Sequence, residues 1–198
     1  MARKVDKEGT RKRREQIVQA ALDCFNKNGI HKSGMQEICA TASLSPGTVY
    51  HYFKSKDAIV EYIAELEVEK ARELTDQLLE EQSLQQGLHK LVDGILDSDE
   101  YDDFQIFMEI VCEAGRNRKV EKLLLKSELI WLETIKSRLK KEGINMPGAS
   151  AMTLAAFIGG QLEFLEMFKR YKPGKKECKE MGLVVKKVLD DMLVAAQS

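Results

Sequence analysis

Residues 33–56 read SGMQEICATASLSPGTVYHYFKSK, and every local signal in them points the same way. Ser33 and Gln36 have the S-x-x-Q spacing of a capping box, which predicts a helix from Gly34. Met35, Ile38 and Ala42 recur at helical spacing and give that helix one buried face. Ser45 followed by Pro46 is a second start signal: a hydroxyl cap, then a proline where the missing N–H costs nothing. Val49 and Phe53, four apart, set the apolar side of this second helix, which turns Thr48, His51 and Tyr52 outward with Tyr50 near the boundary. Two short helices, a tight turn and an outer face of aromatic and hydroxyl groups make a helix-turn-helix, the arrangement that lays its second helix in a DNA major groove.

Working outward, residues 44–60, LSPGTVYHYFKSKDAIV, resemble the recognition helix and following turn of the TetR family of transcriptional repressors. Residues 13–42, RREQIVQAALDCFNKNGIHKSGMQEICATA, resemble the rest of that family's DNA-binding domain. Four features carry the likeness: the first helix with Ile17, Ala21 and Phe25 ending at Asn28-Gly29, the Ile38 helix, the Gly47-to-Phe53 aromatic helix, and the Lys54-Ser55-Lys56 turn. It covers roughly the first third of the chain. Two positions depart from the family pattern. Ser43 stands where the turn commonly has glycine, and His51 precedes Tyr52 where an aromatic often precedes the histidine. The resemblance implies DNA contacts from Ser45, Gly47, Thr48, Tyr50, His51, Tyr52 and Lys56, a homodimer paired through the last two long helices, and a small-molecule effector held in the larger domain.

Residue chemistry assigns roles beside that likeness. The Thr48 hydroxyl can donate or accept and its methyl can meet a thymine methyl, so it is the base-reading candidate. Tyr50 is a phosphate anchor by its phenol, Gly47 admits close approach, and His51 and Tyr52 reach base edges or phosphates. Ser33, Ser45 and Lys56 fall at expected helix starts, where free N–H groups favour phosphate. Arg11 and Arg13 belong to the run Arg11-Lys12-Arg13-Arg14, whose cations oppose the dipole of a helix beginning there and so suggest a phosphate partner.

Charge distribution supports this end of the chain. Residues 1–56 hold 11 Lys/Arg against 5 Asp/Glu, and the remaining residues hold 20 against 27, a basic head on an acidic body within a net charge of −1. The chain has 198 residues, 43% of them hydrophobic, and only 3 prolines, which favours an all-α fold. No stretch approaches the roughly 18 to 20 apolar residues of a membrane span. The start, MARKVDKEGTRKRRE, lacks the apolar core of a signal peptide, so the expectation is a cytoplasmic protein. Cys24, Cys39, Cys112 and Cys178 are widely spaced and read as reduced, buried thiols.

Start and stop signals divide the rest into helices over Asp57–Gln82, Ser83–Leu96, an Asp97-Ser98-Asp99 cap to Gly115, Asn117 to Gly143, Pro147 to Pro173, and Lys175 to Ala196. With the head this makes about nine helices: a basic arm over 1–10, a three-helix DNA-binding domain over 11–57 with its motif at about 34–53, and a helical ligand-binding and dimerisation domain over 58–198. The last two helices are apolar on broad faces, so Leu154, Ile158, Leu162, Leu165, Val184, Val188 and Met192 are expected to meet a second copy, with Gly159-Gly160 allowing close approach. Phe104, Phe107, Met108, Trp131, Phe157 and Phe164 are the candidate lining of an effector pocket, with Glu109, Glu113, Gln161 or Glu163 as polar anchors suited to a cation.

Other function classes find little support. His31, His51 and His89 are not spaced as metal ligands, and His89 with Asp93 reads as a surface i, i+4 pair. No strained nucleophile turn and no glycine-rich phosphate cradle occurs, so neither an enzyme nor a cofactor is expected. The alternative is a helical protein-binding adaptor that has lost DNA binding, which the basic head and intact Gly47-to-Lys56 run disfavour.

Overall fold

The computed structural model describes residues 7–98, 103–169 and 171–196, and among them the chain is all-α. Its nine described helices are α1 (Lys7–Asn28), α2 (Met35–Thr41), α3 (Pro46–Tyr52), α4 (Lys56–Glu80), α5 (Leu84–Asp97), α6 (Asp103–Ala114), α7 (Arg118–Lys141), α8 (Gly148–Lys169) and α9 (Lys175–Ala195). None of them is long and apolar enough to cross a membrane. Internal contacts divide the chain into two units, residues 1–66 with 105–121, and residues 67–104 with 122–198. The first unit thus runs past the expected boundary at 57 and takes in most of α6.

The first unit is built on α1. That helix already runs from Lys7, so the expected basic arm falls on residues outside the described ones up to 6 and on the first turn beyond. Arg11–Arg14 therefore lie past the first turn, where the dipole has little effect, so their cations do not oppose it as expected. α1 ends at Asn28 because Gly29 takes φ +77°, its N–H returning 2.7 Å to the Phe25 carbonyl. Ile17, Ala21 and Phe25 of α1, Ile38 of α2, Val49, Phe53, and Ile59 and Ile63 of α4 are all buried. Each large member of that set stabilises the unit by about 1.5–3 kcal/mol relative to exposure.

The expected capping box at Ser33 is not formed. α2 begins one residue later than expected, with Gly34 as its cap, and Ser33 is 2% exposed. Its hydroxyl donates to the carbonyls of Cys24 (3.0 Å) and Gly29 (2.9 Å), satisfying the end of α1 instead of the start of α2. Ser43 does adopt the left-handed conformation the turn requires, at φ 53°. At α3 the expected cap holds: Ser45 accepts the Thr48 N–H at 3.2 Å, with Pro46 in the first turn.

The second unit buries Leu78 of α4, Leu84, Leu88 and Val92 of α5, Ile135 and Leu139 of α7, Ala155, Ile158 and Leu165 of α8, and Val185 and Leu189 of α9. Asn117 caps α7 as expected, accepting the N–H groups of Lys119 (2.9 Å) and Val120 (3.3 Å). Glu177 accepts the Gly174 N–H at 2.6 Å at the start of α9, where glycine has no side chain to return the bond. His89 pairs with Asp190 of α9 at 2.8 Å and not with Asp93, which takes Lys186 at 2.5 Å; both contacts tie α5 to α9. The Trp131 indole donates to the Ala155 carbonyl at 2.9 Å and lies over Gly159, so that glycine serves an internal contact while Gly160 is open. Of the cysteines, Cys24 and Cys39 are buried as expected, but Cys112 is exposed and Cys178 half-buried.

Two members of the expected pairing face are corrected by this packing. Ile158 and Leu165 are fully buried within the second unit and cannot meet another chain. Leu154, Leu162 and Met192 are half-buried, whereas Val184 (59%) and Val188 (37%) are exposed. The outward apolar side chains of α8 are Met152, Phe157 and Phe164, and those of α9 also include Leu183 and Val194.

Candidate nucleic-acid interface

The site begins with the geometry of α3. Val49 and Phe53 are buried, and this fixes the rotation of the helix about its axis. Gly47 and His51 are consequently exposed, Thr48 and Tyr52 half-buried, and Tyr50 42% exposed on the flank. No atom lies within 4 Å of the position a Gly47 Cβ would take, so a backbone approach there is unobstructed. The Thr48 hydroxyl lies 2.9 Å from that of Ser45, and Lys54 Nζ donates to the Tyr50 carbonyl at 2.9 Å, closing the last turn. His51 and Tyr52 meet edge to face with centroids 5.0 Å apart. One continuous outer face thus carries a glycine, a hydroxyl, an imidazole and two phenols.

Four of the expected DNA contacts have partners within the chain. Ser33 is buried, as described. Lys56 spends its ammonium on the loop between α1 and α2, donating to the carbonyls of Ile30 (2.6 Å), His31 (3.2 Å) and Ser33 (3.0 Å). Arg11 pairs with Glu15 at 3.1 Å, and Arg13 donates to Gln16 at 2.7 Å, both along α1 itself. Lys56→Met is expected to cost the first unit about 1.5–3 kcal/mol, the range for a charged hydrogen-bond donor, while the salt dependence of DNA binding stays constant. Thermal melts with salt titrations check this; a salt slope lower by about 1 with stability intact would make Lys56 a phosphate contact instead.

α6 serves this unit through contacts that helical periodicity does not announce. Gln105 donates to the Asn26 carbonyl at 3.1 Å, and Glu109 accepts the Ile30 N–H at 3.1 Å. Glu113 lies 3.6 Å from His31, which Arg116 also contacts. Lys119 pairs with Glu61 of α4 at 2.8 Å, and that hydrogen bond raises the lysine's pKa above its ordinary 10.5. Glu109 and Glu113, expected as anchors for an effector, therefore hold the end of α1 and the loop after it. Their spacing on one helical face was visible, but what would lie opposite them was not.

The remaining pocket candidates do not gather in one unit. Phe107 and Met108 belong to the first, Trp131, Phe157 and Gln161 to the second, and the side chain of Phe104 lies outside the described residues. Phe157 is 58% exposed. An open groove of about 620 Å³ in the second unit is lined instead by Lys136, Leu139, Lys140, Ile144, Met146 and Pro147, among others. Desolvation pushes the Glu163 carboxyl above its ordinary 4.5, and the carboxylates of Glu128 and Glu166 push the same way. A raised carboxyl favours the folded state at low pH, and this contribution is lost as pH rises from the ordinary value through the folded one.

A short helix presenting polar and aromatic groups over a buried anchor pair, preceded by a capped helix and a tight turn, defines the class of helix-turn-helix DNA-binding domains. Comparison with known proteins narrows the class. The model of the family described as bacterial regulatory proteins, tetR family, matches residues 17–63. The transcriptional regulator UidR of Escherichia coli K12 is 29% identical over 133 residues, 64% of each chain, so the alignment spans just under two thirds of that relative. The Bacillus subtilis regulator YfiR is 29% identical over 167 residues, 80% of each chain. The structure of Salmonella enterica GusR is similar with a TM-score of 0.74 at 24% identity, covering 92% of this chain and 95% of that one. Residues 17–63 thus match the DNA-binding domain of the TetR family of regulators, and the likeness of the rest of the chain rests on relatives under 30% identical.

Proposed function

We propose that the chain is a repressor that binds a palindromic DNA operator as a homodimer and is released by a small-molecule effector. The observation that carries the reading is the outer face of α3, where Gly47, Thr48, Tyr50, His51 and Tyr52 are presented over a buried Val49 and Phe53. The basic balance of residues 1–56 supports it, because a phosphate-facing surface gains affinity by releasing counterions. A two-fold dimer is what lets so short a helix discriminate, since it reads two half-sites about 34–36 Å apart or a multiple of that. The exposed Met152, Phe157 and Phe164 of α8 and Leu183, Val184, Val188 and Val194 of α9 supply apolar surface for that pairing. Effector release is supported by α6, whose Gln105 and Glu109 grip the end of α1 and the residues after it, so any ligand that displaced α6 would disturb the head.

The test is fluorescence anisotropy on the DNA upstream of the protein's own coding sequence, against a scrambled duplex, at about 50 and 200 mM salt. Preferential binding that weakens by roughly 10³–10⁵ over that range is expected of a dimer neutralising several phosphates. Sedimentation of the free protein is expected to give twice the 22.5 kDa chain mass. Equal, weak binding to both duplexes, or a monomer at micromolar concentration, would refute the reading.

A further inference from the structure

The basic run of α1 splits on inspection of its partners. Arg11 pairs with Glu15 at 3.1 Å, Lys12 with Glu8 at 3.0 Å, and Arg13 donates to Gln16 at 2.7 Å, all within α1 and all exposed to solvent. The two ion pairs fasten α1 to nothing else, and it is Gln16, not Arg13, that reaches the end of α2 by donating to the Ala42 carbonyl at 2.8 Å. Arg14 is different. Its guanidinium carbon lies 5.5 Å from the centroid of the Phe53 ring and 5.2 Å from that of Tyr62, and the two rings meet edge to face at 5.5 Å. Phe53 is the C-cap of α3 and Tyr62 lies on α4, so one cation joins α1, α4 and the outgoing end of the helix that faces DNA.

The chemistry of the contact says what it is for. A guanidinium over an aromatic face is held by the ring quadrupole, and its planarity fixes the orientation as well as the distance. Arg14 Nε is buried without a hydrogen-bond partner among the described residues. Stability alone would favour an aliphatic side chain there, because an unbonded buried donor is costly. α3 has only 7 residues, with Val49 and the cap residue Phe53 as its buried anchors. The rotation and tilt of its last turn, and with them the aim of His51 and Tyr52, therefore depend on how Phe53 is held. We infer that Arg14 is a positioning residue for DNA recognition, setting the exit of α3 through the Phe53 and Tyr62 rings without itself touching DNA. The inference rests on the DNA-binding reading above.

The experiment uses the full chain and a duplex that the wild-type protein selects from a random-sequence pool. Arg14→Met keeps the apolar stem and removes the cation. It is expected to bind the selected duplex about 10-fold more weakly, with affinity for a scrambled duplex and the salt slope both unchanged. Arg14→Lys restores a cation without the planar fork and is expected to recover part of the loss, to about 3-fold. Unchanged affinity of Arg14→Met for the selected duplex overturns the inference, leaving Arg14 a packing residue. Equal losses on both duplexes with a slope lower by about 1 also overturn it, making Arg14 a phosphate contact. If circular dichroism shows Arg14→Met unfolded, Arg14→Lys decides alone: a selective loss supports positioning, and wild-type affinity overturns it. A wild-type protein that enriches no sequence defeats the DNA-binding reading and this inference together, a result no variant mimics.

Discussion

Arg138→Ala is expected to destabilise the protein by about 3–5 kcal/mol, because the buried guanidinium's short charged hydrogen bonds to a carboxylate and to a helix-end carbonyl are each worth about 1.5–3 kcal/mol. Arg138 is 3% exposed on α7, and its Nε donates to Glu142 at 2.7 Å. Its Nη2 donates to the Glu81 carbonyl at 2.5 Å and Nη1, more weakly, to that of Leu79 at 3.4 Å. These are the carbonyls left open where α4 ends at Glu80. Glu142 uses the same oxygen to accept the Leu84 N–H at 2.6 Å, at the start of α5. One arginine thus closes the end of α4 and holds the carboxylate that caps α5. Its loss leaves the helix-end carbonyls without a donor and Glu142 with only the Leu84 N–H, which explains why the effect exceeds that of a lost surface pair. Calorimetry is expected to show a melting temperature lower by about 6–20 °C for a chain of this size. The double variant Arg138→Met with Glu142→Leu also removes the acceptor of the Leu84 N–H and is expected to be less stable than Arg138→Met alone. A drop below about 1 kcal/mol for Arg138→Ala would mean that solvent replaces these bonds at little cost.

The parts of the fold legible in the sequence are those whose cause is local. Ser45-Pro46 caps α3 because both groups act within one turn, and Val49 with Phe53 sets the buried side by spacing alone. Ser33 shows the limit: its spacing suits a capping box, but the nearby α1 carbonyls offer it buried acceptors that win. Lys56 follows the same logic, since three loop carbonyls compete with any phosphate for its ammonium. For α8, apolar residues on all sides announced burial without saying which side faced inward. Ile158 and Leu165 proved internal, and Phe157 and Phe164 external, because only the positions of α5, α7 and α9 decide the rotation. Glu109 and Glu113 stand one turn apart on α6, yet their partners lie some eighty residues away, at Ile30 and His31. Periodicity carries no information about contacts of that separation.

On the proposed DNA-binding reading, Thr48→Ala combined with Tyr50→Ala is expected to lower affinity for a selected duplex by about 10²–10³-fold while leaving the fold and the oligomeric state unchanged. A good contact to a base edge is worth about 1–3 kcal/mol, and a hydrogen bond to a charged phosphate about 1.5–3 kcal/mol. The fold survives for reasons visible at each position. Thr48 loses only its contact with the Ser45 hydroxyl, while the Ser45 cap still receives the residue-48 N–H at 3.2 Å. Tyr50 is 42% exposed and its backbone carbonyl remains available to Lys54. Alanine is the best helix former at both sites. The two halves of the effect separate by duplex: the Thr48 loss is specific to the selected sequence, whereas the Tyr50 loss appears equally on a scrambled one. Thr48→Ser divides the first half again, since it keeps the hydroxyl and removes only the methyl that a thymine would meet. Anisotropy titrations on both duplexes, with sedimentation to compare the oligomeric state of variant and wild type, measure all of this. Unchanged binding by the double variant would sink the assignment of these roles, because no other surface of α3 stands clear of the buried Val49 and Phe53.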